Sequence, residues 1–279
     1  MNERTKKIVF LLLFVLFFVC VFFFIKEINY LFTREKDGWR NFFNPVFELP
    51  DNLPSGDSAF IPTSVKGKQY WKLHYCISYS DDDRLSEWVA YELKVSELIK
   101  SASRDNKRFE QDKKVVNGVR HNEYRNSGYD RGHLVPAADM VFSEEAMTES
   151  FLMSNVAPQL PSFNRGIWSE LEREVRRWTR DKGALYVVTG CCWDEASDRM
   201  QRTAIPVPNY YYKALFDTNK KSRGMIVFLL PHGDLRNSVF DYVITVDSLE
   251  RLTLVDFFHQ LPDDIENELE SQVLTRLWK

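Results

Sequence analysis

The sequence predicts an α+β domain with a central, mainly antiparallel sheet flanked by helices, preceded by one N-terminal transmembrane helix. Three observations support this prediction. Short segments rich in β-branched and aromatic residues are joined by polar turns, as in antiparallel hairpins. One segment beginning at Asn164 carries an apolar stripe with helical spacing. Near the amino terminus, 18 consecutive apolar residues occupy positions 8–25.

The apolar run at 8–25 is the first element, and a helix of that length would span about 27 Å, close to the thickness of a bilayer core. A cleaved signal peptide and a retained anchor are the two alternatives. No Ala-x-Ala-like site follows the run, which favours the anchor. The basic residues Arg4, Lys6 and Lys7 precede it and slightly favour a cytoplasmic amino terminus. We therefore expect a single-pass, membrane-anchored protein with an extracytoplasmic domain, periplasmic or extracellular.

The predicted domain organisation follows from this anchor. Residues 1–7 form a charged tail, and a proline-containing juxtamembrane linker occupies 26–68. The remaining residues, 69–279, form one folded domain. The net charge of −3 excludes a generally basic nucleic-acid binder, although residues 101–133 hold eight basic and five acidic side chains. A local basic groove therefore remains compatible with the composition.

Within the domain, residues 70–80 are predicted to form a strand, and 88–93 its hairpin partner. A helix is expected over 143–153, with Ser143 as its N-cap. The helix over 164–182 is the strongest prediction, because its apolar residues recur at helical spacing. Further strands are expected at 184–189, 210–216 and 224–230, with Lys213 at a strand edge, and a C-terminal helix at 266–278. Pairing of Cys76 with Cys191 or Cys192 stays open.

The motif with the clearest chemistry is Asp130-Arg131-Gly132-His133. Histidine can accept a proton near neutral pH. Arginine is permanently charged and matches a phosphate with two parallel donors. Glycine allows a tight turn or a close approach of the backbone. A base beside a phosphate-binding cation indicates phosphodiester hydrolysis, although four residues alone are weak evidence.

Downstream residues make the pattern more specific. Ser154-Asn155 precedes Pro158-Gln159, and Asn164 is followed eight residues later by Glu172. In this order and spacing the chain resembles the DNA/RNA non-specific endonuclease family, the endonuclease G-like ββα-metal nucleases. The resemblance implies the ββα-metal (His-Me finger) fold.

The resemblance also implies roles for individual side chains. His133 would be the general base, Asn164 the direct metal ligand, and Glu172 a ligand through water. A single amide oxygen with several waters suits Mg²⁺ or Mn²⁺ better than Zn²⁺. On a regular helix, Asn164 and Glu172 would lie roughly 80° apart around the axis and about 12 Å apart along it. Three further residues complete the predicted catalytic set: Arg131, Asn155 and the upstream arginine Arg104.

The expected activity is hydrolysis of DNA and RNA to products with 5′-phosphate and 3′-hydroxyl ends. The predicted partners are these nucleic acids and, through residues 8–25, a membrane; a homodimer is compatible with the resemblance. Two alternatives stay open. One is a phosphodiesterase of the same fold acting on small or lipid-linked phosphodiesters. The other is a non-catalytic membrane protein that binds nucleic acid.

Overall fold

The computed structural model describes residues 56, 59–219 and 222–279. The predicted tail at 1–7 and the predicted anchor at 8–25 lie outside these residues, as does most of the predicted linker. Among the linker residues that are described, Ala59, Phe60 and Ile61 are buried in the core. Phe60 makes edge-on contacts with the rings of Tyr186 and Phe216.

Most of the strands form one seven-stranded sheet in which every neighbouring pair is antiparallel. Its order is β1-β2-β3-β6-β7-β8-β9, while β4 and β5 form a separate two-stranded sheet. The strand bounds are β1 Lys68–Trp71, β2 Cys76–Ser80, β3 Leu85–Lys94, β4 Asp130–His133, β5 Val156–Gln159, β6 Ala184–Cys192, β7 Tyr210–Asp217, β8 Gly224–Pro231 and β9 Val243–Ile244.

Helices of three kinds lie between and after the strands. The α-helices are α1 Glu144–Ser150, α2 Pro161–Phe163, α3 Ser169–Lys182, α4 Val246–Thr253 and α5 Asp263–Glu270. A π-helical segment, Asn164–Trp168, joins α2 to α3. Short 3₁₀ turns lie at Val95–Leu98, His121–Tyr124, Ala137–Asp139, Met153–Asn155, Val239–Tyr242 and Thr275–Leu277.

Both faces of the large sheet are buried. Since alternate side chains of a strand point to opposite sides, each strand contributes to a core on either face. On β3, Val89 and Tyr91 belong to one core cluster, together with Leu171, Val175 and Trp178 of α3. The intervening strand residues Trp88 and Ala90 belong to a second cluster, which includes Leu249 of α4 and Leu269 of α5. The helix α3 therefore covers one face of the sheet, and α4 and α5 cover the other.

The predicted α+β class with a mainly antiparallel sheet is confirmed, and three local predictions are corrected. A single strand over 70–80 is wrong: β1 and β2 form a hairpin whose turn is closed by a hydrogen bond of 2.8 Å from Lys72 N to Tyr75 O. The C-terminal helix is also misplaced, since α5 starts after Pro262 and ends at Glu270. The position of Lys213 at a strand edge is wrong as well, because β7 lies between β6 and β8.

Two further sequence predictions are resolved. Ser143 is the N-cap of α1, its hydroxyl accepting a hydrogen bond from Ala146 N, as predicted. Cys76, Cys191 and Cys192 are free thiols. No described helix is both long and apolar enough for a bilayer crossing.

Candidate active site

The small sheet and the helix that follows it carry most of the predicted site residues. In β4 and β5, His133 pairs with Val156 and Gly132 with Ala157. After β5 the chain enters α2, the π-helical segment and α3, so two strands and a helix form one unit. Because side chains alternate along a strand, Arg131 and His133 project from the same side of β4.

Gly132 of β4 lies against the side chain of Gln159 in the paired strand β5. A β-carbon at this position would lie 2.2 Å from Cδ of Gln159, whose side chain is buried. The glycine therefore lets β4 and β5 approach while Gln159 occupies the space between them. This close approach fixes the position of the strand that carries His133.

The ring of His133 is held between two phenylalanines. The ring centroids of Phe109 and Phe151 each lie 5.1 Å from that of His133. The Nε2 atom is buried and has no hydrogen-bond partner among the described residues. Burial, with a contribution from the charge of Arg104, lowers the pKa of His133 to about 3. The imidazole is therefore neutral near pH 7, the state in which it can accept a proton.

Asn155 fixes the segment that follows His133. Its Oδ1 accepts a hydrogen bond of 2.8 Å from Val135 N, and its Nδ2 donates to the carbonyls of Val135 and Ser150. The backbone of Asn155 also accepts a hydrogen bond from Leu134 N. These contacts are all to backbone atoms, and none of them reaches the histidine ring.

Asn164 is oriented by Asp130. Its Nδ2 donates a hydrogen bond of 2.9 Å to Oδ2 of Asp130, and Arg165 donates two more to the same carboxylate. Burial raises the pKa of Asp130, but the hydrogen bonds from Arg165 and Asn164 outweigh it and hold that pKa below its usual value. Because the amide nitrogen of Asn164 is engaged, the amide oxygen is the atom left for a ligand.

The segment between Asn164 and Glu172 is not a regular helix. Residues Asn164–Trp168 are π-helical, and Gly166 has non-helical torsions of φ −97° and ψ −118°. The prediction of one regular helix over 164–182 is therefore wrong, and the predicted separation of Asn164 and Glu172 rested on such an unbroken α-helix. π-helical insertions often occur at functional sites, where they redirect side chains.

Glu172 lies in a cluster of charged side chains, partly shielded from solvent. Burial and the negative charge of Asp139 raise its pKa to about 7, against the opposing effects of Lys213, Arg176 and Arg104. The Arg176 guanidinium donates to Oδ1 of Asp139 at 2.7 Å. A carboxylate in this setting is close to the balance between its charged and neutral forms, so a nearby cation would favour its charged form.

Two arginines complete the positive side of the site. The guanidinium of Arg131 donates twice to the carbonyl of His121 and stacks 5.5 Å from the ring of Phe109. Arg104 lies over Phe151 at 5.9 Å. The charge of Arg104 also acts on both His133 and Glu172, so the structure brings these three predicted residues into one neighbourhood.

Sequence reasoning missed three residues of this cluster: Asp139, Arg176 and Lys213. Arg176 stands four positions after Glu172, one helical turn away, and this spacing was an available signal. Lys213 is 1% exposed, and its Nζ donates to Thr189 Oγ1 at 2.8 Å, 4.7 Å from the centre of the Trp168 ring. A lysine within the apolar strand β7 was the signal for a buried cation. Asp139 had no recognisable signal.

The donor set fits a hard divalent cation. Asn164 offers an amide oxygen whose orientation is fixed by Asp130, and Glu172 offers a carboxylate. Mg²⁺ retains several waters and needs few protein ligands. Asn164 would suffice as its direct ligand, with Glu172 holding a bound water. Zinc, which prefers nitrogen and sulfur ligands in closed tetrahedral sites, is a poor match.

The chain is similar in sequence to known nucleases. The family model described as DNA/RNA non-specific endonuclease matches residues 58–264. A protein named Nuclease from Nostoc sp. is 30% identical over 247 residues, covering 82% of this chain and 89% of the relative. Nuclease EXOG, mitochondrial, from Xenopus laevis is 27% identical, covering 76% of this chain and 63% of the relative.

The fold also matches a solved nuclease structure. The crystal structure of an EndoG/EndoGI complex, described as giving the mechanism of EndoG inhibition, superposes with a TM-score of 0.65 at 26% identity. The match covers 71% of this chain and 89% of that chain. An antiparallel sheet with flanking helices and the β4–β5–α3 unit agree with the predicted ββα-metal nuclease fold.

The predicted localisation requires a correction. A single-pass, membrane-anchored protein with an extracytoplasmic domain was expected, but no described helix is long and apolar enough to cross a membrane. Moreover, relatives from Xenopus laevis, Saccharomyces cerevisiae and Homo sapiens are named as mitochondrial nucleases. The prediction of a membrane-anchored nuclease is therefore wrong, and residues 8–25, on which it rested, lie outside the described part of the chain.

The match to the family model extends over most of the chain, and the Nostoc relative covers more than two thirds of it. The antiparallel sheet, the ββα unit and the catalytic motif agree with this match. The chain therefore belongs to the DNA/RNA non-specific endonuclease family, whose members are divalent-metal-dependent enzymes that cut nucleic acids.

Proposed function

We propose that this enzyme hydrolyses DNA and RNA phosphodiester bonds with His133 as general base, leaving 5′-phosphate and 3′-hydroxyl ends. The observation that carries the proposal is the state of the His133 ring. Its Nε2 has no hydrogen-bond partner among the described residues, the ring is held between Phe109 and Phe151, and burial lowers its pKa so that the ring is neutral near pH 7. A neutral imidazole with an unused nitrogen is suited to removing a proton from water.

The residues around His133 divide the remaining tasks. Asn155 holds the backbone after His133, and the Phe109 and Phe151 rings limit rotation of the imidazole. Arg104 and Arg131 supply positive charge that attracts and orients the phosphodiester. Contacts with the phosphate backbone carry no base sequence information, which agrees with non-specific cleavage.

Asn164 and Glu172 would hold the metal, Asn164 through its amide oxygen and Glu172 through water. When bound, Mg²⁺ or Mn²⁺ supplies charge stabilisation at the scissile phosphate and the leaving 3′ oxygen. Asp130 keeps the Asn164 oxygen available by accepting the hydrogen bond from its amide nitrogen. Arg176 and Lys213 offset the negative charge of Asp139 and Glu172.

The test is substitution of the base. We expect His133→Ala to reduce cleavage of plasmid DNA and of RNA in MgCl₂ by at least about 100-fold, since general bases contribute roughly 10²–10⁴-fold. Initial rates and the chemistry of the product ends would be measured together. The matched control is His259→Ala, because His259 is exposed and its Nε2 contacts the Ile61 carbonyl near the second core cluster. Wild-type rates in folded His133→Ala would refute the assigned base.

A further inference from the structure

A second group of carboxylates lies far from the candidate active site, on the helices that cover the other sheet face. Asp247 and Glu250 belong to α4, and Glu270 is the last residue of α5. One carboxylate oxygen from each of the three lies within 4.8 Å of the other two. The catalytic cluster is attached to α3, which packs on the opposite face of the sheet. The two groups are therefore separate.

Glu270 is the unusual member of this group. Its side chain is buried, with the residue only 5% exposed, and its Oε1 has no hydrogen-bond partner among the described residues. A buried polar atom without a partner costs stability and is rare in folded proteins. Because a Glu270 carboxylate oxygen is one of the three that converge, this unpartnered side chain is directed into the group.

The surrounding charges add to the cost of Glu270. Burial, then the carboxylates of Glu250, Glu266, Asp247 and Asp256, raise its pKa to about 9. Its position at the carboxyl end of α5 is also unfavourable for negative charge, because the helix dipole is negative there. Arg251 lowers the pKa of Glu250, but it is exposed and its guanidinium donates to Ser248 Oγ. Among the described residues, no cation is buried beside Glu270 to balance these carboxylates.

We propose that Asp247, Glu250 and Glu270 form a second divalent-cation site that binds Ca²⁺ and joins α4 to α5. Carboxylate oxygens are hard ligands, and Ca²⁺–oxygen distances of about 2.3–2.6 Å place ligands on opposite sides of the ion roughly 5 Å apart. The three oxygens all lie within 4.8 Å of one another, which is compatible with that geometry. Mg²⁺ prefers shorter distances and retains more water, so it fits three converging carboxylates less well. The ion would favour the charged form of Glu270 and stabilise the fold without taking part in catalysis.

The test uses the full chain with Asn164→Ala as background, which removes the direct ligand proposed for the active site. Thermal unfolding is followed after chelation and then during a CaCl₂ titration. Ligand that binds only the folded state at about 100 times its Kd should raise the Tm by roughly 5 °C or more. Adding Glu270→Gln or Asp247→Asn should abolish this rise. Each substitution keeps the side-chain shape. Glu270→Gln replaces a carboxyl that its raised pKa leaves protonated near pH 7, and Asp247→Asn removes one negative charge from the group, so the metal-free Tm should not fall.

The matched control is Asp264→Asn, an exposed carboxylate on the same helix as Glu270, which should keep the full CaCl₂ response. No rise in Tm with CaCl₂ in the Asn164→Ala background would overturn the site. An undiminished rise in both the Glu270→Gln and Asp247→Asn variants would overturn it equally. A larger rise with MgCl₂ than with CaCl₂ would overturn the assignment to Ca²⁺. Each of these outcomes is independent of whether His133 is the base.

Discussion

At the residue scale, the candidate site depends on side chains that support other site residues without contacting the substrate themselves. Asp130 orients Asn164 through one hydrogen bond, and Asn155 makes two with the backbone of Val135, near His133, and a third with the carbonyl of Ser150. Such supporting contacts fix a site within the narrow geometry that catalysis requires. Buried Lys213 also acts on the site, because its charge lowers the pKa of Glu172, whereas burial raises it.

The role of Lys213 can be tested with Lys213→Met, which keeps most of the side-chain volume against Trp168 and removes the charge. We expect cleavage to fall by about 10–100-fold with a weaker apparent affinity for Mg²⁺, the usual effect of losing a supporting partner. Initial rates over a range of MgCl₂ concentrations would measure both. Lys68→Met is the matched control, since Lys68 is exposed on β1. Rates and metal dependence equal to wild type would show that Lys213 is only a packing residue.

At the element scale, α3 connects the candidate site to the core of the sheet. Its polar side carries Glu172 and Arg176, while Trp178 is buried on its apolar side. The Trp178 ring stacks on Phe228 of β8 at 5.6 Å and meets Trp278 edge-on at 5.4 Å. The positions of the candidate site residues Glu172 and Arg176 therefore depend on the aromatic packing of this helix against the sheet.

Truncating this contact should destabilise the protein by about 3–5 kcal/mol, the usual cost of Trp→Ala in a core. For Trp178→Ala we expect a Tm lower by roughly 6–20 °C, using about 2–4 °C per kcal/mol for a domain of this size. Thermal and denaturant unfolding would measure the change, with the exposed Arg180→Ala as control. A Tm within about 2 °C of wild type would contradict the importance given to this packing.

At the scale of the whole molecule, distant parts of the chain meet in a buried ion pair. Asp112 accepts hydrogen bonds from the ammonium of Lys72 and from the hydroxyl of Ser154, 40 and 42 positions away in sequence. Burial raises the pKa of Asp112, but the hydrogen bonds from Lys72, Ser154 and the backbone of Lys114 outweigh it, so the pKa lies below its usual value. The contacts of Asp112 thus link the β1–β2 turn to the segment before β4 and to the turn that precedes β5.

The lowered pKa of Asp112 gives a pH prediction with a definite sign. Its contribution to stability is complete above the unfolded-state pKa, about 3.9, and is lost as the pH falls through the lower folded-state pKa. Asp112→Asn leaves Lys72 buried without its counter-charge, and we expect a loss of about 3–5 kcal/mol at pH 7. Below about pH 4 the difference from wild type should shrink, because the wild-type carboxyl also becomes neutral.

Denaturant unfolding of wild type and Asp112→Asn at several pH values between 3 and 7 would measure this difference. The control is Asp82→Asn, an exposed carboxyl in the turn between β2 and β3, which should change stability little at any pH. A stability difference for Asp112→Asn that stays constant over this pH range would contradict the account.

Much of the local structure could be predicted from sequence because local periodicity and capping determine it. The strands at 184–189, 210–216 and 224–230 were predicted from apolar β-rich runs, and Ser143 as an N-cap from its hydroxyl before two acidic residues. The failures fall where contacts distant in sequence decide. The turn after β1 places Lys72 against Asp112, and the π-helical segment interrupts a stripe that reads as one regular helix. Residues 8–25, from which the membrane anchor was predicted, lie outside the described part of the chain.

By itself, the sequence determined the α+β class, the family and the candidate site residues, because residue type and spacing are local properties. Only the tertiary structure decided that burial lowers the pKa of His133 and that the charge of Lys213 acts on Glu172. It also decided that Asp130 accepts a hydrogen bond from the amide nitrogen of Asn164, which leaves the amide oxygen for a ligand. Ionisation and orientation depend on neighbours supplied by other strands and helices, and those neighbours exist only once the chain has folded.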